Sequence, residues 1–120
     1  MWSKYRAIRT NGFSSKLENA VYQILKLREK AGEISDIRQQ DCVDLGFGIR
    51  WKVDFSFFMK NVTDKFFGKR VYVEAKGVKT ERYRMCLKLW EGGQGPGPLE
   101  IWEGHYLKPM IKQIIIPKEK

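Results

Sequence analysis

The sequence predicts a single α/β domain, with a mixed β-sheet that contains an antiparallel meander and is flanked by helices. Three observations carry that expectation. A serine-capped stretch beginning near residue 15 repeats apolar residues at helical spacing, two long runs between 49 and 76 alternate apolar with polar residues, and a second helical stretch precedes another β-prone run. A length of 120 residues suits one core, and 42% hydrophobic with 13% aromatic residues is enough apolar surface to build it.

Residues 1–13 have no period and read as a basic arm, leaving 14–120 as the folded domain. Ser14 or Ser15 offers an N-cap, Glu18 follows Ser15 at capping-box spacing, and Leu17, Val21, Ile24, Leu25 and Arg28 continue one helical stripe to a stop at Ala31-Gly32. Ile37 to Val43 is an extended stretch of imperfect alternation, closed by a turn at Gly46 and Gly48. Ile49 to Met59 places Ile49, Trp51, Val53, Phe55 and Phe57 on one side and Arg50, Lys52, Asp54 and Ser56 on the other. A turn region follows, in which the sequon-like Asn61-Val62-Thr63 is simply a turn. Arg70 to Lys76 alternates again, Val71, Val73 and Ala75 against Tyr72, Glu74 and Lys76, so the two runs form a hairpin. Thr80 caps a second helix over about 80–91, with Tyr83, Leu87 and Trp90 on its stripe. Gly92 to Pro98 reads as a loop, Leu99 to Trp102 and Ile114 to Ile116 as short strands, and the stretch between them as strand, turn or helix.

The charge excludes some classes and favours one. Lys and Arg number 23 against 14 acids, a net +9. The excess is segregated: +3 in residues 1–13 and +6 in residues 60–90, with the remaining stretches balanced. A face that only keeps a protein in solution mixes its signs, so this pattern points to a polyanion such as nucleic acid. Two Cys and one His cannot build a four-ligand structural zinc site without carboxylates, two Cys do not amount to a disulfide framework, and Cys42 and Cys86 read as reduced packing residues. No run reaches the roughly 20 apolar residues of a membrane span, and Met1 to Thr10 lack the apolar stretch of a signal peptide. The expected location is the cytoplasm, or the host cytoplasm if the protein is viral, with no membrane partner.

Period two places Asp54 on one strand of the hairpin and Glu74 with Lys76 on the next, all on its outward face. Two neighbouring carboxylates repel unless a cation neutralises them, so the pair suggests a Mg²⁺ site of hard oxygen ligands, with Mn²⁺ able to substitute. A metal there can polarise a phosphodiester and acidify a water, while Lys76 orients that water or stabilises charge developing on the phosphate. Glu-x-Lys alone is weak, since on a strand it often marks a surface ion pair. Its position at the end of an apolar strand before Gly77, with an Asp on the preceding strand, strengthens it.

With this element order, the chain resembles the PD-(D/E)xK nuclease superfamily over roughly residues 14–102. Glu18 looks like that family's helix carboxylate, Val53-Asp54 like its Pro-Asp element, and Glu74-Ala75-Lys76-Gly77 like its (D/E)xK element. The resemblance implies a restriction-endonuclease-like αβββαβ core. It also implies a metal held by Asp54, Glu74 and the Ala75 carbonyl, and catalysis by Glu18, Asp54, Glu74 and Lys76. The chain departs from the pattern in having Val53 for Pro and a long interval between Asp54 and Glu74. Small size, the basic arm, Ser15-Lys16-Leu17-Glu18 and the Lys76-Gly77 ending look most like archaeal-type and phage Holliday junction resolvases. Those act as homodimers on branched DNA.

Lys4, Arg6, Arg9, Lys16, Lys79, Arg82 and Arg84 are candidate phosphate contacts around the site, and Trp2 and Tyr5 could stack on bases. Gln39 or Gln40 could orient a water. Phe57, Phe58, Phe66 and Phe67 exceed the needs of one small core and suggest a subunit contact. Two other readings stay open: a non-enzymatic basic nucleic-acid-binding module, in which Asp54, Glu74 and Lys76 form a surface ion-pair cluster, and a phage endonuclease of broader substrate range.

Overall fold

Ser15 starts the first helix by accepting the Glu18 amide on its Oγ at 3.0 Å, which satisfies one of the donors a helix start leaves without a partner. In the computed structural model, which describes residues 15–75 and 80–119, that helix is α1, Lys16–Lys30. Gly32, left-handed at φ 81°, turns the chain into the sheet. Five strands follow in spatial order: β1 (Ile34–Asp44), β2 (Arg50–Met59), β3 (Arg70–Ala75), β4 (Leu99–Glu103) and β5 (Met110–Ile115). All neighbours are antiparallel except β3 and β4, whose parallel pairing requires a crossover. Helix α2, Glu81–Leu89, supplies it, capped by Thr80 Oγ1, which accepts the Tyr83 amide at 3.1 Å. The result is the expected single α/β domain.

The two helices cover opposite faces of the sheet. Val71 and Val73 of β3 join α1 residues Val21 and Leu25 in one core with Phe55 and Phe57. Tyr72, between them, packs into a second core with Tyr83, Cys86 and Trp90 from the α2 side. Strand β3 is thus buried on both faces.

The alternating stripe of β2 divides between these cores. Trp51 and Val53 belong to the α2 core, Phe55 and Phe57 to the α1 core, and the change falls at Asp54. Pairing of β2 with β3 ends at Phe55↔Val73, whereas its pairing with β1 runs on to Asp44↔Arg50. Beyond Phe55 the chain is therefore a two-stranded ribbon, and such ribbons twist more strongly than wide sheets. Gln40, which the β1–β2 register sets opposite Asp54, interrupts the ladder there with φ 52°.

Several expectations need correction. Gly92 to Gln94 are not loop: the helix continues as one wide π-turn, Trp90–Gln94, broken at Gly93 with φ 118°. The Trp90 indole, which donates to the Gly97 carbonyl at 2.8 Å, makes this turn part of the core. Strand β5 begins at Met110, earlier than the apolar run Ile114 to Ile116 suggests, because β4 supplies backbone partners whatever the side chains. Cys86 is buried as expected, but Cys42 is exposed on the β1 edge, and neither is in a disulfide. Phe57 and Phe66 are core residues, leaving only Phe58 and Phe67 of that group exposed. Among the described residues, no helix is long and apolar enough to cross a membrane.

Candidate active site

One step past the last β2–β3 pair lie Asp54 and Glu74, where the two strands begin to part. Each carboxylate takes a backbone donor that the ladder would otherwise hold. Glu74 Oε1 accepts the Asp54 amide at 3.2 Å, and Asp54 Oδ2 accepts the Ala75 amide at 2.8 Å. The acids therefore share one side of the fork. An ionised carboxylate has about four lone-pair sites, so an amide bond leaves capacity for a cation.

This face is not outward, as alternation alone implies. Glu74 is only 4% exposed and Asp54 half-buried, because α2 covers the β3 face on which Glu74 stands. Tyr83 and Cys86 of that helix feel its charge. Burial foremost, then the negative charges of Glu74 and Glu103, pushes the Tyr83 phenol up to about 12. The Cys86 thiol is also pushed up, chiefly by burial and further by Glu74, against a lowering effect of Arg82. Both groups stay neutral at physiological pH beside the acidic pair.

Glu18 sits in the first turn of α1 and is 5% exposed. Its Oε2 accepts from Gln40 Nε2 at 3.5 Å, so Gln40 links the helix carboxylate to the position opposite Asp54. Among the described residues no three His, Cys, Asp or Glu side chains gather closely enough to hold one ion. The expected metal set of Asp54, Glu74 and the Ala75 carbonyl contains two carboxylates, with Glu18 set apart from it as a catalytic candidate. That donor set suits Mg²⁺, which keeps several waters and takes one or two carboxylates.

The other expected site residues are scattered. Lys4, Arg6, Arg9, Lys76 and Lys79 lie outside the described residues. Lys16 is exposed, its ammonium 4.9 Å from the Tyr106 ring centre. Arg82 donates to the Arg50 carbonyl at 2.6 Å, tying α2 to β2, and Arg84 is exposed on α2. Arg50 and Lys52, exposed on the ribbon leading to Asp54, escape a charge count because the acids of residues 14–59 balance them. Beyond the pair, buried Ser56 donates to Asp41 at 2.6 Å and accepts from Arg70 at 3.0 Å, and Arg70 also holds Asp36 at 2.9 Å. That chain locks β1, β2 and β3 together beside the site.

No protein-family model, curated protein or solved structure matches this chain.

Proposed function

We propose that this protein is a Mg²⁺-dependent, structure-selective DNA endonuclease that acts as a homodimer and nicks four-way junctions by phosphodiester hydrolysis. The observation that carries this reading is the reciprocal arrangement of Asp54 and Glu74 at the β2–β3 fork. Two acids that only faced solvent would gain nothing from sharing one fork with Glu74 buried beneath α2, where repulsion is less screened than in water. The helix–meander–helix–strand order and the segregated basic charge support the same reading.

Asp54, Glu74 and the Ala75 carbonyl would hold the ion. Bound there, Mg²⁺ supplies a Lewis acid for the phosphate and lowers the pKa of a bound water. Glu18, to which Gln40 donates at 3.5 Å, would accept a proton from the attacking water, and Lys76 would stabilise charge developing on the phosphate. Neutral Tyr83 and Cys86 of α2, near enough to feel the charge of Glu74, add no competing charge.

The test is incubation with a four-way junction, the matching linear duplex and a single strand, each with Mg²⁺ or with chelator. The reading requires Mg²⁺-dependent nicking of the junction in preference to the others. Equal cutting of all three removes the junction preference but keeps the nuclease. Tight binding with no cutting under any divalent cation supports the binding-module reading, in which the two acids only cap the ladder.

A further inference from the structure

The ribbon formed by β1 and β2 outruns the sheet at the end that carries the acidic pair. Arg50 lies four residue steps before Asp54, so the tip stands roughly 13 Å or more beyond the pair. There the chain reverses through Gly46, Phe47 and Gly48, all left-handed at φ 84°, 57° and 74°. The Ile49 amide donates to the Gly46 carbonyl at 2.8 Å, making Phe47 and Gly48 the central residues of a turn with positive φ at both, as in type I′. Such a turn favours Asn, Asp or Gly at its first centre, and a bulky side chain there is strained. Phe47 is also 83% exposed, the most of any large apolar side chain among the described residues. Neither turn chemistry nor burial explains a phenyl ring at this position.

The base of the tip is rigid. Trp51 meets Tyr83 and Trp90 edge-on, with ring centres 5.8 and 5.9 Å apart, clamping the ribbon to α2. Asp44 Oδ1 accepts the Gly46 amide at 2.8 Å, and Gly46 lies against the Gln94 side chain. Between tip and acidic pair, the solvent side carries Arg50 and Lys52. An aromatic ring held out on a stiff arm, with cations leading from it to two carboxylates, has the layout of a base-stacking group followed by phosphate contacts.

We propose that Phe47 is a wedge that stacks on an unpaired or unstacked base at a DNA branch point, with Arg50 and Lys52 holding the adjoining phosphates. It is thus the residue that separates branched from linear DNA. This rests on the endonuclease reading for its setting, but its test does not depend on cleavage. The full chain, Phe47→Ala and Phe47→Asn are compared on a four-way junction with 2-aminopurine at the branch point and on the matching duplex. Fluorescence on binding is read in chelator and cleavage in Mg²⁺. Phe47→Asn relieves the turn, so its melting temperature should equal or exceed that of the parent, which removes misfolding as an explanation. Both variants should lose the fluorescence rise at the branch point. Cleavage of the junction should slow about tenfold, within the range that loss of one stacked base gives, while duplex cleavage changes less than about twofold. If no DNA is cut by any form but the fluorescence rise still requires Phe47, the wedge stands and the nuclease reading falls. A fluorescence rise and a junction preference that survive both substitutions overturn the wedge.

Discussion

Replacing Asp54 by Ala and by Asn separates what this carboxylate does for the fold from what it does for chemistry. Both changes remove the same negative charge, so whatever Asp54 contributes through repulsion or attraction is common to the two. The difference between them reads the bond from the Ala75 amide, 2.8 Å from Oδ2. Asn keeps an acceptor for that amide; Ala leaves it orphaned at a half-buried fork. An orphaned buried donor costs about 1–3 kcal/mol, and half-burial places this one in the lower part, about 1–2 kcal/mol. For 120 residues the unfolding entropy is about 0.25 kcal/mol/K, so the Ala variant should melt about 4–8 °C below the Asn variant. Thermal melting by circular dichroism and junction cleavage, measured on the same preparations, check both halves. Cleavage should vanish in both variants while Asp54→Asn still binds DNA as well as or better than the parent. Equal melting temperatures would refute the role of the carboxylate at the fork. Cleavage by Asp54→Asn at the parental rate would refute its role in the chemistry.

Three further outcomes are expected. Gln40→Ala should slow cleavage about as much as Glu18→Ala, and the double variant should be no slower than either, because the pair acts as a unit joined at 3.5 Å; additive losses would show independent roles. Glu100, on β4, is 5% exposed and accepts from the Trp102 indole at 3.1 Å; burial raises its carboxyl above the usual 4.5. The folded state therefore keeps this proton longer than the unfolded chain. Stability from the protonated group is complete below 4.5 and is lost as pH rises through the raised value. Glu100→Gln, which retains an acceptor, should then melt above the parent at pH 7 and converge with it near pH 4, and a pH-independent difference would contradict this. Gly95→Ala should destabilise by about 2 kcal/mol or more, since a Cβ there lands on the Trp90 indole that closes the π-turn; an unchanged melting curve would show that the turn moves freely.

Much of this architecture is legible in the residues because local chemistry and tertiary fold agree. Ser15, the α1 stripe, Thr80 and the hairpin alternation mark their elements to within about three residues of the observed limits. What sequence conceals is what depends on neighbours. Tyr72 and Glu74 look like the wet face of a half-buried strand, but β3 is central and α2 covers that side, so the pattern of a solvated edge and that of a buried polar site coincide. The division of the β2 stripe at Asp54 comes from ribbon twist, which period two does not encode. Gly92 and Gly93 break a standard helix, but the packing of Trp90 carries the chain through one wider turn. Gln40 is an exposed polar residue in a weakly patterned strand, and only the β1–β2 register shows that it lies opposite Asp54. The Gly46-Phe47-Gly48 triplet does carry a local signal, since an apolar residue between two glycines is an unusual choice for a hairpin turn.

The most direct measurement is paramagnetic broadening by Mn²⁺ of the backbone amide resonances in a ¹⁵N-labelled sample without DNA. The amides of Asp54 and Ala75 should broaden first as Mn²⁺ is added, Mg²⁺ should reverse the effect, and Asp54→Asn should abolish it. Broadening that begins elsewhere, or that persists unchanged in Asp54→Asn, would contradict a divalent-cation site at the β2–β3 fork.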